Sequence, residues 1–278
     1  MSRGKLDGAD WEKICQEIPD LSNLGDMVLH LSPDVISINL PHESDIQEVP
    51  AIFHDIFHTL GSAVYALGEV FAHQRWYLKK KEPPNEMTAA VFSRYYADDA
   101  VLRLYSAGEQ YLDVAIKKML KINKKQLADY NKEIRESYKK EGKDPRKITR
   151  LEIIGGFLSV QETVYPFTKA ITSLADSKEW GKTVDYRNRW VHKQPPTVAE
   201  MGIVYKRGKR WKQLPNGRYT LGIGGGDKPE YSAEDLVGFI KPVIFKFTDT
   251  FTSVVEFYTE LLKDTGERTV QPIDKGKQ

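Results

Sequence analysis

Hydrophobic positions recur with a helical period through most of this chain. From Glu48 to about Lys81, Ile52, Phe53, Ile56, Phe57, Leu60, Val64, Leu67 and Phe71 fall on one stripe. That three-and-four spacing turns one face of a helix toward a core. His54, His58, Tyr65 and Trp76 fall on a second, milder face. Pro83-Pro84-Asn85 breaks the pattern, and Glu86 to about Leu120 reads as a second long helix. Its alanines and aromatics, among them Ala89, Phe92, Tyr95, Ala100, Tyr105 and Tyr111, occupy most of the circumference, which predicts a central place in a bundle. Asp98 and Glu109 lie close to its Val91-Leu102-Leu120 stripe, as carboxylates that serve a site or pair with an arginine. A third core helix is predicted from about Leu151 to Leu174, bent at Gly155-Gly156 and Pro166. The last helix starts at Ser232, with Asp235 three residues on as a capping partner. Phe239, Ile240, Val243, Ile244, Phe247, Phe251, Val254, Val255, Tyr258, Leu261 and Leu262 carry its stripe toward Gly266.

Between these helices the period changes. Gly202-Ile203-Val204-Tyr205, a basic run, then Asn216-Gly217 and Arg218-Tyr219-Thr220-Leu221 predict a β-hairpin. Gly222 to Gly226 is a flexible exit, and no strand–turn–helix unit surrounds it to make a dinucleotide loop. Lys121 to Arg150 is polar and predicts an exposed helix ending in the loop Glu141–Pro145. The first fifty residues read as an appendage, with a short helix around Trp11 to Ile18 and a strand or extended segment at Val35–Leu40. The expected fold is all-α, an antiparallel helical bundle over residues 48–266 with a small β-hairpin insertion at about 201–223. Residues 1–47 form an N-terminal extension and 267–278 a flexible tail.

Composition narrows the class. With 278 residues, 40% hydrophobic and 29% charged, the chain is long enough to bury a core. Cys15 is the single cysteine, which excludes an intrachain disulfide and a cysteine-cluster metal site. Met1–Asp7 lacks the apolar run of a signal peptide, and no stretch approaches a membrane span, so a reducing cytoplasm is expected. Net charge is only +2 but segregated. Residues 1–50 carry three basic and ten acidic side chains, residues 121–150 eleven and five, and residues 201–220 six and none. Such a distribution suits either one anion-attracting surface or solvated helix faces.

The candidate chemistry is in Asp185-Tyr186-Arg187-Asn188-Arg189-Trp190-Val191-His192, closed by Pro195-Pro196. It predicts a short helix stopped by proline. Asn188 and His192 share a face, whereas Arg187 and His192 lie roughly 140° apart. Arg187 therefore reaches His192 through its long side chain, through local unwinding, or from another copy of the chain. The negative end of the helix dipole favours a protonated histidine and repels a phosphate. An anion held here needs Arg187, Arg189 or Lys193.

Arg187, then Asn188, three residues, then His192 resembles the Arg-(polar)-x-x-x-His signature of the HEPN superfamily. The resemblance implies an all-helical bundle, the motif late in the chain with a helix after it, and a metal-independent, often dimeric endoribonuclease of toxin–antitoxin or defence systems. It implies catalysis by Arg187 and His192 with Asn188 in support. Some toxin-type members carry a tyrosine two residues after the histidine; Gln194 stands here, so regulation through that tyrosine is not carried over. An antitoxin or other regulatory partner belongs to the same expectation. So does the alternative, a non-catalytic HEPN-like module that holds a nucleotide or RNA or acts as a scaffold.

RNA cleavage of this kind requires no cofactor and no metal. Histidine transfers protons near neutral pH, and arginine is a fixed bidentate cation. One motif offers one histidine, so a homodimer that joins two motifs would supply both acid and base. Lys206, Arg207, Lys209 and Arg210 crowd around Trp211, a mixture suited to single-stranded or loop RNA. The same lysines also suit a protected hairpin edge. His54 and His58 have the i, i+4 spacing of a zinc helix, but Asp55 stands where that motif has glutamate and no third ligand is evident. A packed face is the better reading of that pair.

Overall fold

The computed structural model describes residues 8–31, 37–38, 48–79, 86–192, 196–197, 211–221, 229–264 and 268–269. These are mostly helical, an all-α architecture. The elements run α1 (Gly8–Glu17), α2 (Ser22–Leu29), β1 (Ser37–Ile38), α3 (Val49–Lys79) and α4 (Glu86–Ser106). A π-helical turn, Ala107–Leu112, joins α4 without a break to α5 (Asp113–Met119). Then follow α6 (Lys124–Lys140), a 3₁₀ turn (Pro145–Lys147), α7 (Arg150–Ser159), α8 (Thr168–Ala175) and α9 (Lys178–His192). The chain continues through β2 (Trp211–Gln213), β3 (Tyr219–Leu221), α10 (Ala233–Asp264) and β4 (Arg268–Thr269).

The stripe read on α3 is its buried side: Phe53, Ile56, Leu60 and Leu67 are all inaccessible. α4 packs along α3, and α10 closes the bundle against α2, α3, α4, α8 and α9. Phe53 meets Phe251 and Tyr258 of α10 edge to face, with centroids 5.5 and 5.4 Å apart. Such pairs add about 0.5–1.5 kcal/mol each beyond area burial. Ser232 and Asp235 start α10 reciprocally: Asp235 N donates to Ser232 Oγ at 3.0 Å, and Ser232 N to Asp235 Oδ2 at 2.8 Å.

Several expectations need revision. Residues 8–31 bury Ile14, Leu24, Val28 and Leu31 in the same core as α3 and α10, so they are more than an appendage. The helix expected over 151–174 is two helices. α7 stops at Ser159, where Val160 N and Gln161 N turn to the Phe157 and Leu158 carbonyls and Gln161 Nε2 also donates to Phe157 O, and α8 starts only after Pro166, at Thr168. α6 has no buried residue, as its polar composition requires. In the 201–223 region, antiparallel pairing joins Trp211 to Leu221 and Gln213 to Tyr219 around a turn in which Gly217 has φ +77°. The strand expected at Gly202–Tyr205 lies outside the described residues, as do Lys206, Arg207, Lys209 and Arg210. Arg268 and Thr269, in the segment read as a tail, pair with Ile38 and Ser37. Among the described residues no helix is long and apolar enough to cross a membrane.

Candidate active site

α9 carries the motif and begins at Lys178, well ahead of the short helix expected from Asp185. Ser177 starts it: Trp180 N donates to Ser177 Oγ at 3.2 Å. Glu179 in the first turn and Arg189 in the last complement the helix dipole. Trp180, Thr183, Val184 and Tyr186 are its buried side, packed against α4, α8 and α10.

Its register against α4 is antiparallel. Trp180 packs on Gly108, where an added Cβ would lie 2.5 Å from the indole; only a residue without a side chain permits that approach. Further along, the Arg187 guanidinium lies over the Tyr105 ring, 4.2 Å from its centroid. Tyr186 Oη and Trp190 Nε1 both donate to Asp98, the latter at 3.2 Å. Beyond the helix, Arg94 Nη2 donates to the Pro196 carbonyl at 3.0 Å. Walking down α9 therefore means walking up α4.

The motif residues meet within one chain. Arg187 Nη1 donates to Asn188 Oδ1 at 3.0 Å and lies 3.2 Å from His192 Nε2. Of the three routes open from the sequence, the long side chain is the one used, and α9 stays helical through His192. A guanidinium only donates, so Nε2 is the acceptor and the ring proton of a neutral His192 is assigned to Nδ1. Arg187 and Asn188 are half-buried and His192 is exposed.

Charge pairing separates the arginines. Arg94 is bound by both oxygens of Asp98 at 2.7 Å, Arg103 by Asp99 at 2.7 Å, and Arg189 by Glu230. No carboxylate pairs with Arg187 among the described residues. Arg189, expected to contact RNA, is already neutralised by Glu230, a partner far along the chain. Lys193 lies outside the described residues, and Trp211 is described as the first residue of β2. Burial and then the Asp98 carboxylate push the Tyr186 phenol well above its usual range, so it stays a donor.

In the sequence Tyr105 is one of several aromatics of the second long helix, and nothing local marks it as a site residue. Asp98, expected to serve a site or pair with an arginine, pairs with Arg94 and also takes Tyr186 and Trp190. His54 and His58 lie with ring centroids 4.5 Å apart and planes tilted by 57°, and among the described residues no three His, Cys, Asp or Glu side chains gather to hold a metal ion. His58 instead lines an open groove of about 480 Å³ with Tyr65, Tyr95, Tyr96 and Arg103. No family model matches this chain, and no curated protein or solved structure matches it either.

Proposed function

We propose that this chain is a HEPN-like metal-independent endoribonuclease or RNA-binding protein of a defence, toxin or stress setting, its hairpin an insertion in a HEPN-like bundle. The reading is carried by one observation: Arg187, with no carboxylate partner among the described residues, meets Asn188 and His192 on an accessible helix end. A phosphate taken by the guanidinium competes with His192 for Nη1 and frees Nε2 to move a proton. The 2′-oxygen then attacks phosphorus as its proton leaves to a base. The bond from phosphorus to O5′ breaks as an acid protonates that oxygen. Arg187 stabilises the charge on the phosphorane. A homodimer that joins two motifs provides a second His192 for the second proton transfer.

The test is incubation of the purified protein with single-stranded and loop RNA in EDTA. The expected products carry 2′,3′-cyclic phosphate and 5′-hydroxyl ends. A second reading, a non-catalytic HEPN-like nucleotide- or RNA-binding or scaffold module, is favoured by the engagement of Nε2 with Arg187 in a site with one histidine. RNA that binds but is never cut supports that module.

A further inference from the structure

We infer that Asp98 is a positioning residue for the Arg187–His192 pair, holding the last two turns of α9 at one rotation and one height on α4. The inference about geometry stands on the contacts alone, and only its consequence for RNA cleavage rests on the ribonuclease reading. Asp98 accepts from three side chains. The single Nε–H of Arg94 is shared between the two oxygens of Asp98, and Tyr186 Oη and Trp190 Nε1 each donate one bond. Tyr186 and Trp190 are i and i+4 on α9, one above the other on the same face. They bracket Arg187 and Asn188, and Trp190 stands two residues before His192. A carboxylate gripping both residues removes rotation about the α9 axis and sliding along it.

The second support is on the same side of α4. Tyr105 is seven residues from Asp98, two turns on, and the Arg187 guanidinium lies against its ring. With α9 fixed by Asp98, Arg187 spans from its own turn to Tyr105 and presents Nη1 to His192. Without that restraint, a small roll of α9 moves Arg187 off the ring, and the guanidinium, no longer held by Tyr105, is free to turn Nη1 away from His192. Asp98 is suited to the task because its side chain is only 15% exposed and Arg94 compensates its charge. A neutral side chain there would leave the Arg94 cation buried without its partner.

The test reads the His192 ring directly. Long-range proton–nitrogen correlation spectra of the full chain distinguish the two neutral tautomers, with the His192 signal assigned by its loss in His192→Gln. At a pH well above the ordinary imidazole range, the wild type should show a bare Nε2 and a protonated Nδ1. Asp98→Asn should revert the ring to the Nε2–H form that a free imidazole favours. Because that variant leaves Arg94 unpaired and could unfold, the double variant Tyr186→Phe, Trp190→Phe provides the same test. It removes both α9 donors while leaving the Arg94–Asp98 pair in place, and it should revert the ring too. A folded variant of either kind, checked by circular dichroism, that keeps the wild-type tautomer overturns the inference. So does an Nε2–H ring in the wild type. In RNA cleavage both variants should lose kcat by on the order of 10²-fold with KM little changed. Absence of cleavage in the wild type would sink the ribonuclease reading and leave the tautomer result standing.

Discussion

Arg187 Nη1 lies 3.2 Å from Nε2 of His192, five positions along one helix. Ideal geometry puts residues so spaced on different faces. The contact exists because the guanidinium folds back along the helix surface, braced below by Tyr105 at 4.2 Å.

His192→Ala should lower the RNA-cleavage rate by roughly 10²–10⁴, the usual loss when a general acid or base is removed. Arg187→Lys should also be poor, since an ammonium cannot span Asn188, His192 and a phosphate together. Tyr105→Leu removes the face under Arg187, worth about 0.5–2 kcal/mol as a cation–π contact, and should weaken cleavage while leaving helical circular dichroism unchanged. Full activity in all three variants would assign the cleavage to another site or a contaminant.

A composite site requires two copies. Sedimentation at micromolar concentration should give about twice the chain mass, and an equimolar mixture of His192→Ala and Arg187→Lys subunits should differ in activity from both parents. A clean monomer that cuts RNA would show that one motif suffices.

The basic run of the 201–220 region should contribute affinity and not chemistry. Replacing Lys206, Arg207, Lys209 and Arg210 with glutamine should weaken RNA binding and flatten its salt dependence, because fewer counterions are released. An unchanged salt slope would assign those residues to protection of a hairpin edge.

Glu109 gives a prediction about stability. It sits in the π turn, and its carboxylate accepts from Arg150 N at 2.6 Å and Leu151 N at 3.3 Å, the first residues of α7. Burial dominates over these bonds and pushes its pKa up to about 7 from the usual 4.5. Between these two values the folded chain holds a proton that the unfolded chain has released, so stability falls as pH rises through that window. The slope approaches 1.4 kcal/mol per pH unit. It is flat below the unfolded value and again above the folded one. Glu109→Gln has no such proton. Urea unfolding of the two proteins at about pH 5 and about pH 8 should show the wild type losing stability relative to the variant. Parallel curves at both pH values would mean that Glu109 stays ionised throughout.

What the sequence determined by itself was local. The core stripes of α3 and α10, the Ser232–Asp235 start and the presence of a helix at Arg187–His192 depend on spacings of three or four residues, which backbone geometry alone converts into a face. What only the tertiary structure decided is which of those faces meet, and at what height. Asp98 finds Tyr186 and Trp190 at separations of 88 and 92 residues, and Arg189 finds Glu230. No periodicity encodes such pairs: those of Asp98 follow from the antiparallel register of α9 on α4, and that of Arg189 from the approach of the segment before α10. That register is set at one end by shape, with Trp180 fitting over Gly108, and at the other by the Tyr186 and Trp190 bonds to Asp98. The same register gives Arg187 the Tyr105 face, the segment before α10 brings Glu230 to Arg189, and Arg187 is left as the arginine of the motif with no carboxylate partner among the described residues. A guanidinium's role is set by the charges packed around it, and those arrive only when distant helices close.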